Sequence, residues 1–280
     1  MRILYISMER GIELAEKHEV KYHDIDHPLS LEEIKDFNPD LILEREFNTG
    51  RHVYPELYEW AKKELPNTLQ VEWFIDTHTM HDWHISYAKN FDVVFLAISK
   101  YVPEFKELLG EDRAFWLPLA WPGRTDAITP NNEPKDHEFT FVGRWKEGVQ
   151  PWFPERGKYV DALQQALGDR FYAVTDYQNM LSILRRSKAA FNYCIKDDMN
   201  FRVFEALGAG VPLLTNDVPD LHLIDGLAAK VHIYNDLPDL LEYVQRLLGS
   251  DQEAIRQKAL EYQLWVAERH SLVHTATLLY

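Results

Sequence analysis

Cysteine is almost absent: Cys194 stands alone among 280 residues. A disulfide within the chain is excluded, and a cysteine-based zinc site lacks its ligands. The expectation for Cys194 is a small buried residue at a strand end. Long apolar runs are missing too. No stretch approaches the ~20 consecutive apolar residues that span a bilayer. The opening MRILYISMERG meets Glu9 and Arg10 too early for a secretory signal. The expectation is a cytoplasmic protein without a membrane span.

Positive charge is scarce. The 30 Lys and Arg face 45 Asp and Glu, for a formal net charge of −15. Residues 1–118 carry −10 and residues 119–280 carry −5. Neither half offers the clustered positive charge that duplex nucleic acid or an anionic membrane requires. Only one stretch runs against this trend: Arg144, Lys146, Arg156 and Lys158 fall within fifteen residues, against Glu147 and Glu155. One basic patch in an acidic chain suits a small anionic ligand. Repeats, low-complexity tracts and heptads are lacking as well.

What is present is enough apolar material for real cores: 46% hydrophobic and 13% aromatic residues. Strand-like and helix-like segments alternate. Strands are expected at 2–7, 19–25, 39–44, 69–75, 91–98 and 114–119, with helices at 11–18, 30–37, 53–65, 79–88 and 100–109 between them. Ser30 supplies a cap for the second helix and Gly110 a stop for the last. The segment WPGRTDAITPNNEPKDH, 121–137, breaks the rhythm with Pro, Asn and Asp and reads as an interdomain linker. The alternation then restarts, with strands at 138–143, 170–175, 188–194, 211–215 and 228–234, and helices at 155–167, 177–186, 199–208, 236–248 and 251–269. The expected architecture is α/β: two Rossmann-like, doubly wound domains facing a cleft, 1–120 and 138–269. A closing helix at 270–280 is expected to pack back on the first domain. Ligands of such sheets bind at the carboxyl ends of the strands.

The segment DDMNFRVFEALGAGVPLLTN, 197–216, carries the densest chemistry. Asp197 and Glu205 are eight positions apart; on one helix they would share a face, ~12 Å apart along the axis. If Asp197 instead precedes the helix, it lies near the N-terminal end, where backbone N–H groups favour anions. Asn200 is a candidate cap. Gly208 and Gly210 allow a tight turn into the next strand. A second cluster, DTHTMHDWH at 76–84, holds Asp76, His78, His81, Asp82 and His84 after a strand end. Nothing in its spacing fixes a three-ligand metal face. Asp76 could cap the following helix, and His81 and His84 read as surface or packing residues.

The 197–216 segment resembles the sugar-nucleotide signature of group 1 (retaining) GT-B glycosyltransferases: an acid, seven residues, a glutamate, then a small-Gly-x-Pro tail. The wording NFRVFEALGAG is closest to the CgeB, spore-maturation-protein-like branch. The segments at 91–121, 139–145 and 270–279 resemble further parts of that family. The resemblance implies roles. Glu205 would bind the ribose hydroxyls of a nucleotide sugar, and Asp197 the sugar's own hydroxyls. Backbone N–H groups of Asp198, Met199 and Asn200 would lie near sugar and phosphates. Arg144 and a second cation, Arg156 or Lys158, would hold the diphosphate, with Lys146 in the same patch. Residues from Val174 to Tyr177 would line the base, and Arg202 joins this set. Asp76 and His78 would lie near acceptor and sugar, making Asp76, His78 and Asp197 the catalytic candidates. Two departures are visible: the first acid is Asp rather than Glu, and strand 1 leads into SMERG instead of a Gly-rich loop.

The implied reaction moves a sugar from a nucleotide diphosphate, a UDP-sugar first, to a small-molecule, glycan or protein acceptor, with retention. No cofactor is implied, and no Asp-x-Asp stands in a position to hold a metal. The alternatives are a catalytically inactive GT-B domain that binds a nucleotide sugar or partner protein, and a GT-B sugar-nucleotide epimerase.

Overall fold

The computed structural model describes residues 1–7, 12–15, 17–23, 28–45, 55–121, 129–145 and 154–270. The chain divides into two compact units between Leu119 and Ala120. The first unit runs β1 (Arg2–Ile6), α1 (Ile12–Ala15), β2 (Glu19–His23), α2 (Leu31–Phe37), β3 (Leu41–Arg45), α3 (Pro55–Glu64), β4 (Leu69–Phe74), α4 (Thr77–Tyr87), β5 (Val93–Leu96), α5 (Val102–Leu109) and β6 (Ala114–Trp116). Its six strands are all parallel, in the order β2-β1-β3-β4-β5-β6. Parallel sheets are covered on both faces, and β3 (LILER) shows the result: all five residues are buried.

Local signals place the elements. Ser30 closes a capping box at α2: its hydroxyl accepts the Glu33 N–H, and Glu33 accepts the Ser30 N–H. Such a cap contributes about 1 kcal/mol. The core gathers Leu4, Ile42, Tyr58, Phe74, Phe91 and Phe105, all inaccessible to solvent. A polar group is set inside it. Glu44 and Glu72 are register partners on β3 and β4, and both are buried. Tyr87 donates to Glu44 Oε2 at 2.9 Å, and Tyr58 donates to the same oxygen. Burial first, and then the Glu44 carboxylate, push the pKa values of both tyrosines up.

The second unit runs β7 (His137–Val142), α6 (Pro154–Leu167), β8 (Phe171–Val174), α7 (Met180–Arg185), β9 (Ser187–Phe191), α8 (Arg202–Gly208), β10 (Leu213–Asn216), α9 (Pro219–Leu223), β11 (His232–Tyr234), α10 (Leu237–Gly249) and α11 (Gln252–Arg269). Its five strands are parallel, ordered β11-β10-β9-β7-β8. Counted from the first strand of each unit, both sheets wind 2-1-3-4-5, and the first adds a sixth strand. In that order the chain reverses its winding direction between strands 1 and 3. The reversal falls between β1 and β3 in the first sheet and between β7 and β9 in the second.

Three expectations shift. Helix α8 begins at Arg202 instead of 199, because Lys196 and Asp197 take left-handed conformations (φ 52° and 65°) and the Asn200 side chain accepts the Arg202 N–H. Helix α7 begins at Met180 instead of 177, because Asp176 ties down the backbone N–H and side chain of Asn179. Helix α9, headed by Pro219, was not expected. The described end of the 121–137 segment packs into the second unit. The Asn131 side chain is buried and donates to the carbonyls of Arg185, at 3.0 Å, and Ala209, at 2.9 Å. The expected closing helix beyond His270 lies outside the described residues.

Candidate functional site

The reversal point of the second sheet collects the sequence candidates. Strand β7 ends at Val142, followed by Gly143 and an exposed Arg144; strand β9 ends at Phe191, followed by the loop that leads to α8. Arg156, on the first turn of α6, ties the two strand ends together. Its Nη2 donates to the Tyr193 carbonyl at 3.0 Å and its Nη1 to the Arg144 carbonyl at 3.3 Å. Burial draws the Arg156 pKa below the usual arginine value, while the nearby Tyr177, Cys194 and Asp198 oppose that shift and Arg202 adds to it. Arg156, Tyr177, Asp198 and Arg202 therefore share one electrostatic neighbourhood.

Arg202 and Glu205 form an ion pair one turn apart on α8, Nη1 to Oε2 at 2.9 Å, with little of either side chain exposed. Arg202 also donates from Nη2 to the Val142 carbonyl at 2.8 Å. It thus anchors α8 to the end of β7 and orients Glu205 from behind. Asn200 donates to the Tyr193 carbonyl at 3.4 Å, the same oxygen that Arg156 holds. The 192–200 loop is fixed from the other side by a buried polar set. Asn192 Nδ2 donates to Thr215 Oγ1 at 3.1 Å, and Asn216 exchanges bonds with the Cys194 backbone at 2.6 and 3.0 Å. Tyr234 donates to the Asn192 carbonyl. Cys194 is buried at the centre, and burial pushes its thiol up to about 11.

Some candidates sit apart from this group. Lys158 is exposed and paired with Glu155 at 2.5 Å. It stands two residues beyond Arg156, about 200° around the helix, so of the two cations only Arg156 joins the strand ends. Met199 is buried, backbone included, at 1% of its full exposure. Among the expected backbone donors, Asp198 N–H is engaged by the Ile195 carbonyl at 2.9 Å, and Asn200 N–H points at the Cys194 sulfur. Asp197 is exposed in its left-handed turn, Asp198 is buried, and Tyr177 is exposed beyond β8. Lys146 lies outside the described residues.

In the first unit, Asp76 and His78 follow the carboxyl end of β4 and are half-buried. Asp76 occupies the N-cap position of α4, but its side chain makes no capping bond. Its carbonyl instead receives Thr79 N–H at 2.9 Å and Thr79 Oγ1 at 3.0 Å. His81 is a surface residue bridging Glu104 and Asp82, whose contacts raise its pKa. His84 is a packing residue, buried and stacked on Phe74 with Nδ1 at 3.0 Å from Thr77.

The supports of α8 escaped the sequence reading. Gln263 donates to the Gly208 carbonyl at 2.8 Å, and Asn131 reaches the Ala209 carbonyl. A Cβ on Gly208 would stand 2.4 Å from two atoms of the Trp121 indole, so this glycine seats an aromatic ring. Gly210 supplies the left-handed turn at φ 66°. Asn131, Gln263 and Trp121 are far from α8 in sequence, and no local pattern marks them.

A family model described as glycosyl transferase-like matches residues 124–280, more than half of the chain. Among solved structures, HepE of Anabaena in complex with UDP and glucose has a TM-score of 0.65 at 12% identity, covering 100% of this chain and 98% of that one. A glycosyltransferase from Rickettsia africae has a TM-score of 0.63 at 12% identity, covering 99% and 96%. A sucrose-phosphate synthase from Thermosynechococcus elongatus has a TM-score of 0.58 at 13% identity, covering 100% and 97%. At these identities the likeness is one of fold. No curated protein matches the chain in sequence.

Proposed function

Since this chain belongs to the glycosyl transferase-like family and is a transferase with the GT-B fold, we propose that it moves a sugar from a nucleotide diphosphate to an acceptor hydroxyl or other nucleophile. The observation that carries this reading is the convergence of Arg156, Asn200 and the Arg202–Glu205 pair on the ends of β7 and β9. That is where a parallel sheet of this winding takes its ligand. A UDP-sugar is the first choice, since HepE of Anabaena was solved with UDP-glucose.

In this reading Glu205 accepts hydrogen bonds from the ribose, and Arg202 holds it in place. The nucleotide diphosphate gains negative charge as the sugar departs, and Arg144 and Arg156 stabilise that charge where it develops. Asp197 contacts the sugar, and Tyr177 stands beside the base. Asp76 and His78 are the acceptor-side candidates. The NFRVFEALGAG wording supports a CgeB-like member, for which retention without a metal is the expectation. A retaining enzyme of this type needs no protein base, because the departing phosphate can take the acceptor's proton.

The test combines thermal shift and turnover. Wild-type chain, Glu205→Gln, Arg156→Gln and Lys158→Gln are screened with UDP, GDP, ADP and TDP and their sugars. Ligands that bind only the folded state raise the melting temperature. One nucleotide series is expected to stabilise the wild type, with the shift lost in Glu205→Gln. Arg156→Gln is expected to slow turnover by about 10²–10³-fold, as for loss of a single charge-stabilising donor. Lys158→Gln should leave both unchanged, since an exposed ion pair contributes little. A folded wild type that responds to none of these nucleotides would refute the reading.

A further inference from the structure

The far end of the second sheet carries a different feature. Pro212, just before β10, Lys230, two residues before β11, and His232, the first residue of β11, form the floor of a cavity of about 230 Å³. These are the amino ends of the strands, opposite the ends that hold Arg156 and Glu205. The last turns of α10 and the first half of α11 supply the walls. Three cations reach the cavity, one from each side: Lys230, Arg246 and Lys258. No carboxylate among the described residues lines it, in a chain whose formal net charge is −15. None of the three cations has an ion-pair partner among the described residues.

Aromatic faces hold two of these charges in place. Arg246 lies 4.2 Å from the Tyr243 ring centroid, and Lys230 lies 5.2 Å and 4.7 Å from those of Tyr262 and Trp265. The carbonyls that end α10 would repel an anion, but they are already occupied. Gln252 Nε2 donates to Leu247 and Ser250 at 3.0 Å, and Ser250 Oγ donates to Arg246 at 2.6 Å. Desolvation first, and then the nearby Arg246 and Lys258, lower the His232 pKa. Apart from Ser250, the remaining wall is apolar and aromatic, so the hollow offers both a charge and an apolar surface. Its volume lies below the ~300 Å³ where pockets for drug-sized ligands begin.

We propose that this cavity is a second ligand site, separate from the nucleotide-sugar site, for a small organic anion: a phosphate ester or carboxylate carrying a compact ring or apolar body. The charged group sits among Lys230, Arg246 and Lys258, and the body packs against Tyr243 and Tyr262.

The probe is phenyl phosphate, with inorganic phosphate and benzyl alcohol as comparisons, titrated into the full chain. Binding is read by calorimetry and by the His232 ring signal in NMR, assigned with His232→Gln. Saturable binding of phenyl phosphate is expected, with the His232 pKa rising in the complex. Lys258→Gln and Arg246→Gln, both at exposed positions, are each expected to weaken it by about tenfold, the loss of one charge-assisted contact. Glu205→Gln is expected to leave it unchanged, which separates this site from the other. Inorganic phosphate and benzyl alcohol should both bind more weakly than the probe. No saturable change at His232, binding indifferent to both substitutions, or phenyl phosphate no tighter than inorganic phosphate would each overturn the proposal.

Discussion

Arg156 and Lys158 show how much rests on a single helical step. Both are cations in the same patch of sequence, and both met the requirement for a diphosphate ligand equally well on paper. The structure turns one toward the strand ends and the other toward Glu155. Orientation around a helix is legible only when its first residue and buried face are known, and α6 starts after a stretch whose pattern is irregular. Cys194 was easier to read, since lone cysteines are most often buried. Its environment gives a prediction. Burial raises the thiol to about 11, and Thr215 and Asn192 surround the sulfur. A thiolate-selective disulfide reagent at pH 8 should therefore leave the native chain unlabelled and modify one thiol per chain in denaturant. Fast labelling of the native chain would show that the loop after β9 opens readily.

At the scale of elements, the segment from α8 to β10 combines a helix buried on nearly every side with a turn that has no room to spare. The two glycines are visible in the sequence as a turn signal, but they do different work. Gly210 supplies the positive φ, whereas Gly208 makes space for an indole more than eighty residues earlier in the chain. Gly208→Ala drives a methyl into the Trp121 indole, and the backbone N–H of Trp121 is held by the His270 carbonyl at 2.7 Å. Overpacking of this kind costs about 1–3 kcal/mol, and the urea midpoint should fall accordingly. An unchanged midpoint would mean that the indole swings aside. The strands and most helices were legible because apolar runs and caps are local. Ser30 with Glu33 is the clearest case. The supports of α8 were not legible, because Asn131, Gln263 and Trp121 satisfy it from three distant parts of the chain.

For the whole molecule, buried hydroxyls and a thiol link folding to alkaline pH. Tyr58, Tyr87 and Tyr234 have raised pKa values, with burial the largest cause in each. Cys194 is raised from 9 to about 11. In each case the folded state keeps its proton where the unfolded chain gives it up. The stability they contribute is therefore full below the unfolded values and lost as pH rises above them. Lys135 acts oppositely: burial lowers it from 10.5 to about 8, so stability rises with pH between those values. The one lysine and the one thiol roughly offset each other, so the three tyrosines decide, and stability should fall as pH rises through about 10. Absorbance titration of the 14 tyrosines is expected to show these three ionising only as the far-ultraviolet circular dichroism collapses. Ionisation of all tyrosines with the fold intact would contradict the assignment. The winding order of both sheets followed from strand–helix alternation only as a class; the 2-1-3-4-5 order itself depends on which strands pair, and no local signal states that.

The burial of Asn131 and Trp121 also bears on where the polypeptide can be divided. Composition alone would place the scissors at 137, just before β7, discarding a proline- and asparagine-rich leader. That cut removes the side chain capping the Arg185 and Ala209 carbonyls and the ring that fills the hollow over Gly208. A fragment spanning 120–280 is expected to melt cooperatively, and one spanning 138–280 to be markedly less stable or insoluble. Equal melting of the two would show that the leader is dispensable. The stretch that punctuates the chain in sequence is, in three dimensions, the keystone of the half that follows it.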